Sequence, residues 1–387
     1  MPRSPSLMII AGEVSGDMHG ARLVRAIHAH HPEITCFGIG GEQMRAAGVE
    51  TFTDISAMAV TGISEVLRKY RHLRRIFYDS LAQLRSRRPD AVILIDYPGF
   101  NLRFARRAHL MGFKTIYYIC PQVWAWNRQR IPRMAATLDR LIAFFPFEAA
   151  HFDHTALQVD FVGHPLVDEI DEVRRQPHPT LPWQGTPHIA LLPGSRDHEI
   201  ERILPSMWAA AALIEEKHPE ASFIIPVHSE AAAALVNRVL AGRPAGPTRS
   251  EIVIGHTRAV LAEARATLIA SGTATLEASL LRCPMVITYQ ATPITYWLAR
   301  ALVKVKHIGL VNIVAEAEVA TELLQYAATP HALAAALEPL ISDNTVHAAA
   351  LAALDDVNRR LGPPGGTDRA AAAVLDAISP RLHGPAS

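Results

Sequence analysis

A run of small polar residues, Ser-Gly-Thr-Ala-Thr-Leu-Glu at positions 271–277, combines hydroxyl groups, a glycine and a carboxylate. The run follows an apolar strand and opens a helix, whose first backbone N–H groups have no partner inside the helix and suit a phosphate. Glycine lets backbone approach a ligand closely, and Glu277 could accept hydrogen bonds from sugar hydroxyls. The pattern predicts a nucleotide site, although an ordinary capped helix start would show the same residues. The candidate ligands are Gly272, Thr273, Ala274, Thr275 and Glu277.

A second turn between a strand and a helix, Leu192-Pro-Gly-Ser-Arg196, could supply the other side of a phosphate site. The guanidinium of Arg196 has the planar fork that matches a phosphate group. Together with Gly194 and Ser195 it would form a clamp for a diphosphate. The chain contains no Asp-x-Asp sequence, the paired carboxylates that would hold Mg²⁺ or Mn²⁺. We therefore expect charge neutralisation by Arg196 and by helix dipoles, with no metal and no cofactor.

Polar residues also follow two apolar strands in the first half of the chain. Glu13, Ser15 and Asp17 come after the strand predicted at 7–11, and Asp96 comes after the strand predicted at 91–95. Ligands of open α/β sheets bind at the carboxyl ends of the strands, so these residues are candidates for substrate contact and general-base catalysis. The alternatives are structural: Ser15 and Asp17 could cap a helix, and Asp96 could form a turn with the Pro-Gly pair at 98–99.

The stretch at 57–78 mixes apolar and basic residues, a pattern that suits an anionic membrane surface. A core helix with a solvated basic face would show the same pattern. Nucleic-acid binding is a third interpretation, which the net charge of +1 weakens. The predicted membrane patch consists of Val60, Ile63, Val66, Leu67, Arg68, Lys69, Arg71, Leu73, Arg74, Arg75 and Ile76.

The elements that must position these residues alternate between short apolar runs and longer amphipathic segments. This alternation predicts βαβ units and parallel sheets, with a break in the Pro-rich segment at 174–187. The predicted fold class is therefore α/β, with two Rossmann-like doubly wound domains facing a cleft and an alanine-rich helical tail. The predicted domains are 1–178 and 186–344, and the tail at 345–387 could fold back on the first domain or exchange with a partner chain in a homodimer.

Length and composition are those of a globular protein. The 387 residues are 49% apolar and 19% charged, and no apolar run approaches the roughly 18 residues that a membrane span needs. The three cysteines are isolated, so they form neither a disulfide framework nor a metal cluster. The first residues lack the pattern of a signal peptide. We expect a cytoplasmic protein.

Seven motifs occur in order along nearly the whole chain: AGEVSGD at 11–17, GIGG at 38–41, QVWAW at 122–126, FFPFE at 144–148, FVGHP at 161–165, LPGSR at 192–196 and SGTATLE at 271–277. Taken together, they closely resemble the lipid-A-disaccharide synthase family. The resemblance implies an inverting, metal-independent glycosyltransferase of the GT-B fold. It would join UDP-2,3-diacylglucosamine to 2,3-diacylglucosamine 1-phosphate through a β-1,6 bond, release UDP, and act at the cytoplasmic face of the bacterial inner membrane.

The resemblance also implies roles for individual residues. Arg196 and the turn at 272–277 would bind UDP, and Asn312 would lie near the donor. The residues Glu13, Ser15 and Asp17 would lie on the acceptor side. Some relatives carry an aspartate, a candidate base, where this chain has Gly99. The predicted base is therefore Asp96 or Asp17.

Other functions fit parts of the pattern. A different UDP-sugar transferase or a UDP-GlcNAc 2-epimerase could use the same fold. A nicotinamide-binding oxidoreductase is a further alternative, disfavoured because the chain lacks a Gly-x-Gly-x-x-Gly motif. A membrane-surface binding protein without catalytic activity fits least well, because two separate polar clusters are predicted at strand ends.

Overall fold

The computed structural model describes residues 4–58, 63–126, 128–177, 179–244, 246–292 and 306–382, without the side chains of 63–69, 126 and 380–382. The chain forms two compact units. Unit 1 comprises Met1–Pro165 and Pro363–Ser387, and unit 2 comprises Leu166–Gly362. These ranges differ from the predicted domains: unit 2 begins earlier in the chain, and the helical tail is divided between the two units.

The strands form two parallel sheets. The strands of unit 1 are Ser6–Ala11 (β1), Thr35–Gly40 (β2), Val49–Asp54 (β3), Ala91–Ile95 (β4), Lys114–Tyr118 (β5), Arg140–Ala143 (β6) and Gln158–Phe161 (β7). Those of unit 2 are His188–Leu192 (β8), Ser222–Val227 (β9), Ser250–Ile254 (β10), Ala266–Ala270 (β11), Met285–Tyr289 (β12) and Glu322–Leu324 (β13). The α-helices are Val14–His30 (α1), Glu42–Ala46 (α2), Ile63–Arg87 (α3), Pro98–Leu110 (α4), Val123–Trp126 (α5), Ile131–Ala135 (α6), Pro146–Ala150 (α7), Pro165–Arg174 (α8), Asp197–Lys217 (α9), Glu230–Leu240 (α10), Thr257–Glu263 (α11), Ala274–Leu280 (α12), Leu310–Ala315 (α13), Pro330–Ser342 (α14), Asn344–Arg360 (α15) and Gly366–Leu382 (α16).

The sheet of unit 1 has the strand order β3-β2-β1-β4-β5-β6-β7 and carries apolar clusters on both faces. Its central strands β1 and β4 are fully buried, in keeping with their continuous apolar sequences. The sequence analysis missed β3, whose residues Val-Glu-Thr-Phe-Thr-Asp lie at the sheet edge and are mostly half-buried. An edge strand needs no continuous apolar run, so it gives a weak sequence signal.

The last helix of the tail, α16, packs against α1 in unit 1. Its residues Ala370, Val374 and Ile378 are buried in the apolar cluster on that face of the sheet. Arg140 on β6 is 7% exposed and donates hydrogen bonds to the Ala373 carbonyl and to the Asp376 carboxylate, each at 2.7 Å. The end of the chain therefore folds back on unit 1 within a single molecule, whereas α15 belongs to unit 2.

The sheet of unit 2 has the order β10-β9-β8-β11-β12-β13. Helices α9 and α14 pack on one face, over a core of aliphatic residues contributed by β8, β9 and β11. The short edge strand β13 was not predicted, because three residues are too few to show a pattern. Since all six strands are parallel, their carboxyl ends lie along one edge of the sheet, where ligands of α/β folds bind.

Helix α3 contains most of the predicted membrane patch, and the structure corrects two of its members. Ile76 is 6% exposed and belongs to the core of unit 1, and Leu73 packs against that core. Arg71, Arg74 and Arg75 are exposed. Val60, together with the side chains of Ile63, Val66, Leu67, Arg68 and Lys69, lies outside the described residues. Within the described part of the chain, no helix is both long and apolar enough to cross a bilayer.

Candidate functional site

Unit 2 has a cavity of about 740 Å³ at the carboxyl ends of its central strands, here called the unit 2 cavity. The two turns predicted to bind a diphosphate both line it. One turn follows β8 and the other follows β11, and these two strands are neighbours in the sheet. Residues that line the cavity include Gln176, Gly194, Ser195, Arg196, Glu199, His228, His256, Arg258, Ser271, Gly272, Thr273, Ala274 and Glu277.

The turn after β8 is held in shape by Glu199. Its buried carboxylate accepts hydrogen bonds from the backbone N–H groups of Ser195 (3.1 Å) and Arg196 (3.2 Å), and from Nη1 of Arg196 (3.0 Å). Gly194 has φ +112°, and a Cβ there would lie 2.5 Å from Oε2 of Glu199, so only glycine fits. Glu199 was not predicted from the sequence, although a glutamate at the third position of a helix is a recognised capping signal.

Arg196 extends from this turn with 70% of its side chain exposed. Its partner Glu199 would keep two backbone hydrogen bonds if the guanidinium turned away. The guanidinium can therefore move to an anion without leaving a buried carboxylate unpaired.

The turn after β11 places Ser271, Gly272, Thr273 and Ala274 in the cavity wall. The Ser271 hydroxyl donates to the Ile308 carbonyl at 2.9 Å, which ties the turn to the segment before α13. A Cβ on Gly272 would meet nothing within 4 Å, so the protein itself gives no steric reason for a glycine there. The prediction for Thr275 needs correction: its side chain is buried, and its hydroxyl donates to the Gly272 carbonyl at 2.8 Å.

Glu277 lines the cavity and is paired with Arg258, a residue that the sequence analysis missed. Nε of Arg258 donates to Oε1 of Glu277 at 2.8 Å, and its Nη2 donates to Oε2 of Glu169 on α8 at 2.6 Å. Burial lowers the pKa of Arg258, but the two carboxylates outweigh burial and raise it overall. Arg258 lies in the first turn of α11, which follows β10, so its position after a strand resembles that of Arg196 and could have served as a signal.

Asn312 does not line the unit 2 cavity. It is fully buried on α13, and its amide nitrogen donates to the Ala320 carbonyl (2.7 Å) and to Glu322 (2.8 Å). Its amide oxygen accepts from the backbone N–H groups of Val319 and Ala320, both at 2.9 Å. Its side-chain hydrogen bonds are therefore all made within the protein, and they give Asn312 a role in holding the loop before β13.

In unit 1, the two candidate bases, Asp17 and Asp96, have different surroundings. Asp17 is 3% exposed, and its carboxylate accepts hydrogen bonds from the backbone N–H groups of Gly41 (2.6 Å), Gln43 (3.0 Å) and Met44 (3.1 Å). These groups form the start of α2. Asp17 is thus engaged in holding a helix end, the structural alternative given above for this residue, and this leaves Asp96 as the better candidate for the base.

Asp96 has the features expected of a general base. It is half-buried at the carboxyl end of β4, and Glu13 and Ser15 are exposed after the neighbouring strand β1. Burial raises the pKa of Asp96, and the charge of Glu13 raises it further, against one backbone N–H of Tyr97 that lowers it. Asp96 and Tyr97 both have positive φ, +44° and +48°. Such strain in non-glycine residues is typical of functional sites.

A second buried carboxyl group of unit 1, Glu148, lies in the FFPFE motif. Its Oε2 accepts from the backbone N–H groups of Phe144 and Phe145, both at 3.1 Å, and its Oε1 accepts from the indole N–H of Trp124 at 3.3 Å. Burial raises the pKa of Glu148 to about 7, against these hydrogen bonds, which lower it. Glu148 therefore joins β6, α5 and α7 through one titratable group.

Among the described residues, no group of three or more His, Cys, Asp or Glu side chains is arranged to hold a metal ion.

A profile of the family described as Lipid-A-disaccharide synthetase matches residues 7–362. A lipid-A-disaccharide synthase from Trichlorobacter lovleyi is 39% identical over 97% of this chain and 98% of its own length. One from Anaeromyxobacter sp. (strain K) is 38% identical over 95% of this chain and 96% of its own length.

Two solved structures share the fold at low sequence identity. The calicheamicin glycosyltransferase CalG4 has a TM-score of 0.63 and 16% identity, over 97% of this chain and 99% of that one. UDP-GlcNAc 2-epimerase from Neisseria meningitidis, bound to UDP-GlcNAc, has a TM-score of 0.63 and 11% identity, over 96% and 100%. The chain, with its two doubly wound parallel sheets, has the GT-B fold. Because the family profile covers residues 7–362 and the relatives match over almost their full length, the chain belongs to the lipid-A-disaccharide synthase family.

Proposed function

We propose that the chain joins UDP-2,3-diacylglucosamine to 2,3-diacylglucosamine 1-phosphate and releases UDP, with unit 2 binding the nucleotide and unit 1 supplying the base. Membership of the family makes the chain a glycosyltransferase of lipid A disaccharide synthesis. The observation that carries the assignment of UDP to unit 2 is the convergence of the turns after β8 and β11 on one cavity.

In this proposal the diphosphate binds between Arg196 and the turn at 271–274. The formal charges of Arg196 and Glu199 cancel while the two side chains are paired. The phosphate is therefore bound most strongly when the guanidinium turns away from Glu199 and donates two hydrogen bonds to the phosphate oxygens. The backbone N–H groups of Gly272, Thr273 and Ala274 would complete the site, because a bare glycine at 272 allows the close approach that such bonds need. Glu277 would accept a hydrogen bond from the ribose.

Transfer would proceed by a single displacement. The 6-hydroxyl oxygen of the acceptor forms a bond to the anomeric carbon, the bond from that carbon to the β-phosphate oxygen breaks, and UDP leaves with the bonding electrons. Asp96 takes the hydroxyl proton. A raised carboxyl pKa makes a stronger base near neutral pH, and such help is worth about 10²–10⁴-fold in rate. The exposed Glu13 and Ser15 would contact the acceptor sugar.

We also propose that the exposed basic face of α3 holds the protein on an anionic membrane surface, peripheral to the cytoplasmic face of the inner membrane. Arg71, Arg74 and Arg75 are exposed there, and so are the rings of Tyr70 (55%) and Tyr78 (51%). Arginine and tyrosine together suit the headgroup region of a bilayer.

The reaction is tested by incubating the purified protein with both acylated glucosamine substrates in detergent, following UDP release and identifying the products by mass. We expect one disaccharide 1-phosphate formed for each UDP released, and no UDP release when the acceptor is omitted. Conversion of the UDP-sugar to an epimer without acceptor, or acceptance of non-acylated UDP-glucosamine with equal efficiency, would contradict the proposal.

A further inference from the structure

Arg258 is held between two carboxylates in the wall of the unit 2 cavity. It donates to Glu277 at 2.8 Å and to Glu169 at 2.6 Å, and the exposed fractions of the three side chains are 29% for Arg258, 20% for Glu277 and 12% for Glu169. The two carboxylates come from different helices, α12 and α8. A guanidinium can bridge them because its N–H donors point in fixed, diverging directions.

The two arginines divide the cavity into two regions. Arg258 is already paired with Glu169 and Glu277, so its guanidinium is not free to bind a diphosphate, and the Glu277 carboxylate suits neutral hydroxyl groups that donate hydrogen bonds. Arg196 and Glu199 sum to zero, and Arg196 is the more exposed of the two. A bound nucleotide would therefore lie with its phosphates toward Arg196 and its sugar toward Glu277.

We infer that Arg258, held by Glu169, is a positioning residue that fixes the Glu277 carboxylate to accept hydrogen bonds from ribose hydroxyls, and so makes the cavity selective for ribonucleotides. This inference rests on the proposed binding of UDP in unit 2. The pairing uses Oε1 of Glu277 and orients the carboxylate, so that its second oxygen, Oε2, would accept from the sugar.

The fold does not depend on Arg258 alone for the contact between α8 and α12. Arg174, at the end of α8, also donates a hydrogen bond to the Leu280 carbonyl at the end of α12. A second link therefore remains when Arg258 is replaced, and we expect variants at Arg258 to fold. In these variants the Glu277 carboxylate would lose the hydrogen bond that orients it.

The test compares binding of UDP, 2′-deoxy-UDP and 3′-deoxy-UDP by calorimetry to the wild-type protein and to Arg258→Met, Arg258→Lys and Glu169→Gln. We expect the wild type to bind UDP at least ~10-fold more tightly than one of the deoxy analogues, as for a hydrogen bond to a charged group. Arg258→Met should reduce that preference to within about threefold, and the other two variants should reduce it partly. Arg282→Met removes a guanidinium that pairs with Asp355 outside the cavity, and it should keep the wild-type preference.

The ratio of affinities separates positioning from a general loss of structure, which would weaken UDP and its analogues equally. An unchanged ratio in folded Arg258→Met, or no preference for ribose in the wild type, would overturn the inference while leaving UDP binding intact. A wild type that fails to bind UDP would overturn the proposed function of the cavity and this inference with it. Thermal unfolding reports whether each variant is folded. If Arg258→Met is unfolded, the affinity ratios of Arg258→Lys and Glu169→Gln test the inference in its place.

Discussion

Asp96 and Glu13 illustrate how two single residues can set the pH range of the reaction. The charge of Glu13 contributes to the raised pKa of Asp96, after burial. We expect Asp96→Asn to lower turnover by about 10²–10⁴-fold at saturating substrates. Glu13→Gln should lower the pKa of Asp96, so that the base stays ionised to lower pH and the acidic limb of the kcat profile moves to lower pH.

The controls for this prediction are two other aspartates of unit 1. Asp17→Asn should lower stability, because the carboxylate accepts three backbone hydrogen bonds, yet keep turnover per folded molecule within about threefold. The exposed Asp153→Asn should change neither property. Full activity in Asp96→Asn, or an acidic limb that does not move in Glu13→Gln, would remove Asp96 from the role of base.

Glu148 couples the stability of unit 1 to pH. Its pKa is raised by burial from 4.5 in the unfolded chain to about 7 in the folded protein, so the folded state binds the proton more tightly. The resulting stabilisation is complete below pH 4.5 and is lost as pH rises through about 7. Its size is on the order of 3 kcal/mol.

We therefore expect the free energy of unfolding to fall less between pH 5 and pH 8 in Glu148→Gln than in the wild type, as measured by urea unfolding. Glu216→Gln, at an exposed position on α9, should follow the wild type. The same pH dependence in Glu148→Gln and the wild type would mean that Glu148 does not titrate in this range.

At the scale of elements, strands with continuous apolar runs could be predicted from the sequence to within a residue or two. Both strands that escaped prediction, β3 and β13, are edge strands. The turns after β8 and β11 were also predictable, because glycine, serine and threonine at the end of a strand favour a turn. The pairing of Arg258 with Glu169 was not, since these residues are 89 positions apart and meet only through the packing of α8 beside α12.

At Gly272, in the turn after β11, a substitution can separate the effect of a side chain on folding from its effect on ligand binding. Nothing lies within 4 Å of a Cβ placed on Gly272, so we expect Gly272→Ala to fold and melt like the wild type. Its UDP affinity should fall at least ~10-fold, because the methyl group would hold the diphosphate away from the backbone N–H groups. Gly99→Ala in unit 1 also meets nothing within 4 Å and should bind UDP normally. Wild-type affinity in Gly272→Ala would exclude close approach at this turn.

At the scale of the whole molecule, the net charge of +1 means that any attraction to a membrane must come from a local surface. We expect reversal of Arg71, Arg74 and Arg75 to Glu to release the protein from vesicles containing anionic phosphatidylglycerol. Loss of three arginine contacts would weaken binding by about 3 kcal/mol, or roughly 100-fold. Sedimentation with vesicles, at low and high salt, measures this.

The matched control reverses Arg103, Arg106 and Arg107, which are exposed on α4 of the same unit. It changes the total charge equally and should leave vesicle binding near the wild-type level. Equal release of both triple variants would indicate a diffuse charge effect rather than a surface on α3. Replacing Ile76 is no test of membrane binding, because its side chain is part of the core.

The proposed reaction depends above all on the binding of UDP in unit 2, between Arg196 and the turn at 271–274. The most direct test is the initial rate of UDP release from both acylated substrates by Arg196→Ala, beside Arg238→Ala at an exposed position on α10. We predict a loss of about 10²–10³-fold for Arg196→Ala, the usual effect of removing a group that stabilises developing charge, with an unchanged melting temperature. Arg238→Ala should react at the wild-type rate. A folded Arg196→Ala protein that turns over at nearly the wild-type rate would contradict the account.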